Sequence, residues 1–170
     1  MRYVGRNERS PMTLHRILSA AVLAAAVVSA GATEASADVS RAVITAFKGQ
    51  LVVSKGELPE GKTNKETIAK IKAAKVTSVE GDVRDDVAYW NFHYAAFLSR
   101  TGAVRLKLEF YNGKQLAADK TLDEIDPKSG LLTGDISISE DEGLSKGKTY
   151  TVKLVTDKDA TVASTTLTMK

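Results

Sequence analysis

Val87-Ala88-Tyr89-Trp90-Asn91-Phe92-His93-Tyr94-Ala95-Ala96-Phe97-Leu98 is the stretch on which the fold of this chain turns. Trp90, Phe92, Tyr94, Ala96 and Leu98 fall on one side of an alternation, and Asn91, His93 and Ala95 fall on the other. A repeat of two belongs to an extended strand, because successive Cβ atoms leave opposite faces of the pleat. The aromatic row is therefore assigned to a core, and Tyr89, Asn91 and His93 to the opposite face. After Ser99-Arg100-Thr101-Gly102 a second alternation sets Val104, Leu106, Leu108 and Phe110 against Arg105, Lys107, Glu109 and Tyr111. Asn112-Gly113 then separates that run from Lys114–Ala118. Asn-Gly between two β runs predicts a hairpin, since both residues accept the positive φ of a type I′ turn.

Working outward, Leu122–Gly130 reads as a loop, and Leu131–Ser139, Thr149–Thr156 and Ala160–Met169 as three more strands, the last two joined by Asp157-Lys158-Asp159. On the N-terminal side, Ala42–Phe47 and Gln50–Ser54 are apolar, β-branched runs around Lys48-Gly49, the pattern of a hairpin. Gly56–Lys62 is a loop by its Gly and Pro content. Thr63-Asn64-Lys65-Glu66 fits a capping box and opens a short helix over about residues 64–75, with Ile68 and Ile71 on one face. A helix of this length is marginal alone and must dock on something. Short strands at regular spacing with polar turns predict a mostly-β, antiparallel sandwich with one short α-helix.

Leu144-Ser145-Lys146-Gly147-Lys148-Thr149-Tyr150-Thr151-Val152 narrows this further. Leu144, Gly147 three on, Tyr150 six on and Val152 eight on resemble the corner before the penultimate strand of fibronectin type III and other immunoglobulin-like sandwiches. The resemblance implies that Leu144 plugs the core, Gly147 makes the turn, and Tyr150 buries its ring while its hydroxyl returns to an upstream backbone group. It also implies Trp90 as a core residue. It covers mainly residues 87–170, departs from the family in placing Lys146 before the glycine, and implies a fold and no activity.

The N-terminus reads as an address. Arg2, Arg6, Arg9 and Arg16 form a basic leader, Ile17–Ala30 an apolar run of 14 residues, and Ala35-Ser36-Ala37 a small-residue cleavage site. The run falls short of the roughly 20 residues a bilayer-spanning helix needs, so residues 1–37 are assigned as a removed signal peptide with no stable membrane anchor left behind. Residues 38–170 are then one domain of 133 residues, in which 38–81 form an N-terminal hairpin plus helix packed on the 87–170 sandwich. The leader holds four of the 24 basic and two of the 21 acidic residues, so the remainder carries a net charge of +1. No nucleic-acid footprint is expected from that balance. The absence of cysteine removes thiol chemistry and Cys-based metal sites, and leaves an exported domain to rely on packing.

Candidate functional residues are few. Tyr89, Asn91 and His93 share a face, and Arg105, Lys107 and Tyr111 would join them if the two alternating strands paired, forming a polar and aromatic patch for a protein, a glycan or another small ligand. A solvated sheet face gives the same pattern. One mid-strand histidine and no Gly-x-Ser-x-Gly argue against a catalytic triad. Calcium is open, because Asp82/Asp85/Asp86, Asp123/Glu124/Asp126 and Glu140/Asp141/Glu142 fall in three loops, and calcium accepts irregular oxygen ligation. Glu140, Asp141 and Glu142 are the leading set. No other cofactor is expected. The sequence thus points to an exported, non-enzymatic module, periplasmic or extracellular, that binds another envelope or extracellular protein. Two alternatives stand beside it: a small-ligand or glycan binder, and a subunit of a surface polymer that donates the Asp38–Phe47 segment to a neighbour's sheet edge.

Overall fold

Asp85 and Asp86 both adopt positive φ, 49° and 64°, and close a two-residue turn between β3 (Gly81–Arg84) and β4 (Val87–Phe97). In the computed structural model, which describes residues 39–170, β4 is the centre of the first sheet. β1 (Leu51–Ser54) and β3 pair along one of its edges and β7 (Leu131–Ser139) along the other, all antiparallel. The second sheet runs β2 (Ser78–Val79), β9 (Thr161–Met169), β8 (Thr149–Thr156), β5 (Leu106–Asn112) and β6 (Gln115–Leu122). It is antiparallel except for the short β2, which lies parallel to β9. The expected signal peptide, residues 1–37, lies outside the described residues.

The inner faces of the two sheets share one core. Trp90, Phe92, Tyr94 and Ala96 from β4 meet Leu106, Leu108 and Phe110 from β5 and Tyr150, Val152 and Leu154 from β8. The chain is thus a mostly-β sandwich, as its alternation predicts. Trp90 is wholly buried and its indole N–H donates to the Lys170 carbonyl at 3.2 Å. Gly81 lies beneath that ring, where a Cβ would sit 2.9 Å from Trp90 Nε1.

Two expectations are corrected here. The segment expected as the first strand of a hairpin is α1 (Arg41–Ala46), capped by Ser40, whose Oγ accepts from the Val43 amide at 3.4 Å. Its apolar residues serve equally at helical spacing, because Val43 and Phe47, four apart, fall on one side and are both buried. The domain therefore has two helices, and its N-terminal part is a helix, a strand and a second helix. The hairpin at Asn112-Gly113 does form, one residue later than expected. Asn112 pairs with Gln115, the turn is Gly113-Lys114, and only Gly113 has positive φ, 63°, the pattern of a type II′ turn.

α2 (Asn64–Ala74) begins as its capping residues predict, with Thr63 Oγ1 accepting from the Glu66 amide at 3.2 Å. The Glu66 carboxylate reaches back to the Lys62 amide at 2.9 Å. Ile71 docks with Val43 and Phe47 on Val52, Ala95, Phe97 and Leu131, and the Phe47 and Phe97 rings lie 5.0 Å apart. The two helices thus form a third layer on the outer face of the first sheet, and Ala95 and Phe97 are buried on the side opposite Tyr94 and Ala96.

The corner before the penultimate strand has the geometry its residues imply. Leu144 and Tyr150 are buried, Gly147 turns the chain at φ 79°, and the Ser145 amide donates to Tyr150 Oη at 2.8 Å. Tyr94 offers the contrast. Its hydroxyl is buried with no hydrogen-bond partner, and burial together with the charge of Asp135 pushes its pKa far above the tyrosine range. Tyr150→Phe is expected to destabilise the fold by about 1 kcal/mol, whereas Tyr94→Phe removes an unsatisfied group and should stabilise it by a similar amount. Denaturant midpoints measured side by side check this, and equal shifts of the same sign would count against both assignments.

Candidate functional site

The helical layer covers only part of the first sheet's outer face. The remainder carries Tyr89, Asn91 and His93 of β4, whose partners across the ladder are Ser139, Ser137 and Asp135 of β7. Asp82 of β3 stands opposite Tyr89 on the other side, and the Arg84 guanidinium lies 5.9 Å from the centre of the Tyr89 ring. Asn91, Asp135 and Ser137 are exposed and Tyr89 half-buried. This terrace is the most distinctive polar surface of the fold.

Its membership differs from expectation. β5 belongs to the opposite sheet, so Arg105, Lys107 and Tyr111 are not brought to Tyr89, Asn91 and His93. The chain between β4 and β5 crosses from one sheet to the other, and alternation looks the same whether two successive strands pair or face. Tyr111 sits in a separate cluster, donating from Oη to Glu109 Oε2 at 2.9 Å, with Lys153 Nζ 4.4 Å from its ring centre. The Glu109 hydrogen bond first, then partial burial and nearby carboxylates, raise the Tyr111 pKa. Arg105 pairs with Asp123 at one end of the sandwich. Lys107 pairs across the ladder with Thr121 and Val155.

His93 is not an exposed ligand. It is 7% exposed, and its Nδ1 lies 3.0 Å from Asp135 Oδ1, while the Asp135 side chain is 88% exposed. With Asp135 ionised, Nδ1 carries the proton and donates to it. Ser54, His93 and Asp135 occupy one row across β1, β4 and β7, a juxtaposition that strand spacing alone does not reveal. The Ser54 hydroxyl, itself buried, donates to the Gly56 carbonyl at 2.6 Å, so its proton is committed to the backbone rather than to an imidazole.

The acidic loops are occupied locally. Asp85 and Asp86 form the β3–β4 turn, and Asp126 Oδ1 accepts from the Lys128 amide at 2.9 Å. Glu140–Glu142 is a 3₁₀ turn, and Glu142, expected among calcium ligands, works as a cap. Its Oε2 accepts from the Ser139 amide at 2.8 Å and its other oxygen pairs with Lys120 of β6. Among the described residues no group of three His, Asp or Glu is arranged to hold a metal ion, and the assignment of Glu140, Asp141 and Glu142 as a calcium set is withdrawn. Partial burial raises the Glu142 pKa, but the bonds from Lys120 and Ser139 outweigh it and hold the carboxyl below the usual range. A depressed carboxylate pKa contributes stability above the unfolded value, about 4.3, and loses it as pH falls through the folded value. Glu142→Gln should therefore cost about 0.5 kcal/mol at neutral pH, as befits a part-exposed pair, with the difference closing below about pH 4. Thermal unfolding of both proteins across that range checks it; a pH-independent gap would contradict the pairing.

Among the described residues no helix is long and apolar enough to cross a membrane. What fold and site define is a class: a two-sheet, antiparallel, mostly-β protein with helices over one face and a polar terrace beside them. Comparison with protein-family models, with curated proteins and with solved structures yields no match.

Proposed function

We propose that the chain is an exported, non-enzymatic immunoglobulin-like module that binds another envelope or extracellular protein through the terrace of Tyr89, Asn91, Asp135 and Ser137. The tyrosine corner leading into the penultimate strand, on a sandwich of two antiparallel sheets, supports the immunoglobulin-like reading. The basic leader and the absence of cysteine support export. One observation carries the functional reading: the first sheet is sealed by helices where it is apolar and left bare where it presents an aromatic, an amide, a carboxylate and hydroxyls. Such polar and aromatic surfaces suit protein recognition, where a few side chains dominate binding. The polymer reading is not carried forward, because residues 41–46 are helical and Val43 and Phe47 are buried within their own domain.

The test is affinity capture from envelope and culture fractions with residues 38–170 as bait, beside a Tyr89→Ala/Asn91→Arg variant of unchanged melting temperature. A protein captured by the first and lost by the second is the expected result. Capture unaffected by the two substitutions would move the interface elsewhere and end this assignment of the terrace.

A further inference from the structure

The ladder between β4 and β7 leaves one side of β7 unused. The Leu98 amide donates to the Gly130 carbonyl at 2.8 Å, and bonded pairs in an antiparallel ladder recur at every second residue. Leu132, Gly134, Ile136 and Ile138 therefore bond to β4, and the backbone groups of Leu131, Thr133, Asp135, Ser137 and Ser139 point away from it. The two ends of that outer row are satisfied at home: the Leu131 amide donates to Ser129 Oγ at 3.3 Å and the Ser139 amide to Glu142 Oε2. Asp135 and Ser137, in the middle, meet no other strand among the described residues.

Sheet edges left open invite pairing, and proteins usually blunt them with lysine, proline, bulges or a covering loop. β7 reads Leu-Leu-Thr-Gly-Asp-Ile-Ser-Ile-Ser, with neither lysine nor proline, and its nine-pair register with β4 is unbroken. The edge strand of the other sheet is treated differently. β6 carries a register shift against β5, a lysine paired with Glu142, and Gly143 packed against its Ala117 carbonyl. Of two neighbouring edges, one is guarded and one is open. Pairing with a second copy is disfavoured at full overlap, since a two-fold axis would set Asp135 against Asp135, and like charges directly opposite repel. A basic side chain at that place would instead meet the one ionisable residue of β7, which is exposed.

Resting on the interaction reading above, we propose that the β7 edge at Asp135–Ser137 receives an extended segment of the partner protein as an added strand, with a lysine or arginine opposite Asp135. Backbone groups supply the attraction and the charge sets the register, as in strand addition generally.

The probe is the acetylated and amidated peptide TVTVKVTVT, titrated into the purified protein and followed by amide resonances and hydrogen exchange. Saturable shifts at Asp135 and Ser137, with their exchange slowed by about tenfold or more, are expected. A form N-methylated at alternate residues should not bind, and a peptide with glutamate at the centre should bind several-fold more weakly. Ser137→Pro, which removes an outward N–H without touching the β4 ladder, should abolish binding; Ser137→Lys, a milder edge blocker at an exposed position, should weaken it. The proposal falls if the peptide leaves Asp135 and Ser137 unmoved. It falls equally if those amides are already slow to exchange in the free monomer, or become so on self-association. A partner captured through Tyr89 by wild type and Ser137→Pro alike would overturn the added strand while leaving the interaction reading in place.

Discussion

Gly143→Ala is expected to lower the melting temperature by about 10 °C, the shift that a loss of about 3 kcal/mol produces in a domain of this size. Two effects add at this position. Gly143 ends the 3₁₀ turn at φ 107°, a conformation that costs an L side chain about 1–2 kcal/mol. Its Cβ would also be built 2.1 Å from the Ala117 carbonyl oxygen, a backbone atom of β6 that cannot rotate away. Relieving that clash means moving either β6 or the turn, and forced packing of this kind costs a further 1–3 kcal/mol or so. Gly147→Ala separates the two effects, because Gly147 has φ 79° with open space where its Cβ would be. It should lose only the conformational part, about 1 kcal/mol. Equal losses at the two glycines would mean that β6 yields freely, and the guarded-edge argument would weaken with it.

Trp90→Ala is expected to cost about 3–5 kcal/mol, the range for truncating a fully buried aromatic. The chain's total margin, like that of most domains, is about 5–15 kcal/mol. Trp90 is wholly buried, and it ties β4 to the chain's last residue through its indole N–H. The same Lys170 carbonyl accepts from the Gly81 amide at 2.8 Å, so three segments meet there. Trp90→Phe keeps most of the buried area and should cost clearly less, in the range of a lost hydrogen bond plus a small cavity. Chemical denaturation followed by far-ultraviolet circular dichroism measures both, since the substitutions remove the only tryptophan fluorophore. A Trp90→Ala loss below about 2 kcal/mol would show that the surrounding core collapses onto the gap.

Much of the fold is legible along the chain, and the reasons are local. Leu131–Ser139 and Thr149–Thr156 are strands with the bounds their alternation gives, because turn residues fence both. α2 follows from Thr63 and Glu66, whose side chains make the capping bonds their spacing implies. The Leu144–Tyr150 corner is legible because its leucine, glycine and tyrosine each meet a distinct steric or polar demand within seven residues. Ala42–Phe47 misleads because a short β-branched run suits strand or helix equally, and only the Ser40 cap with Val43 and Phe47 four apart favours the helix. Pairing is harder still. Nothing in the β4 and β5 residues says that the turn between them changes sheets, so the patch joining His93 to Arg105 and Lys107 dissolves. Asp135 and Ser137, the neighbours that β4 does acquire, lie some 40 residues downstream and could be found only by placing β7 beside β4.

Phe97 shows what the third layer implies for behaviour short of unfolding. The helices contribute Val43, Phe47 and Ile71 to a small apolar cluster, separate from the core between the sheets. Contacts this few can open on their own, leaving the sandwich beneath intact. An opening of that kind bares Val52, Ala95, Phe97 and Leu131 together, a continuous greasy strip on a sheet that still holds its shape. Detachment of two short helices, rather than loss of the whole fold, is then the event that makes the protein sticky. Substitutions that loosen Phe47 or Ile71 would shorten its shelf life in concentrated solution well before they moved its melting point.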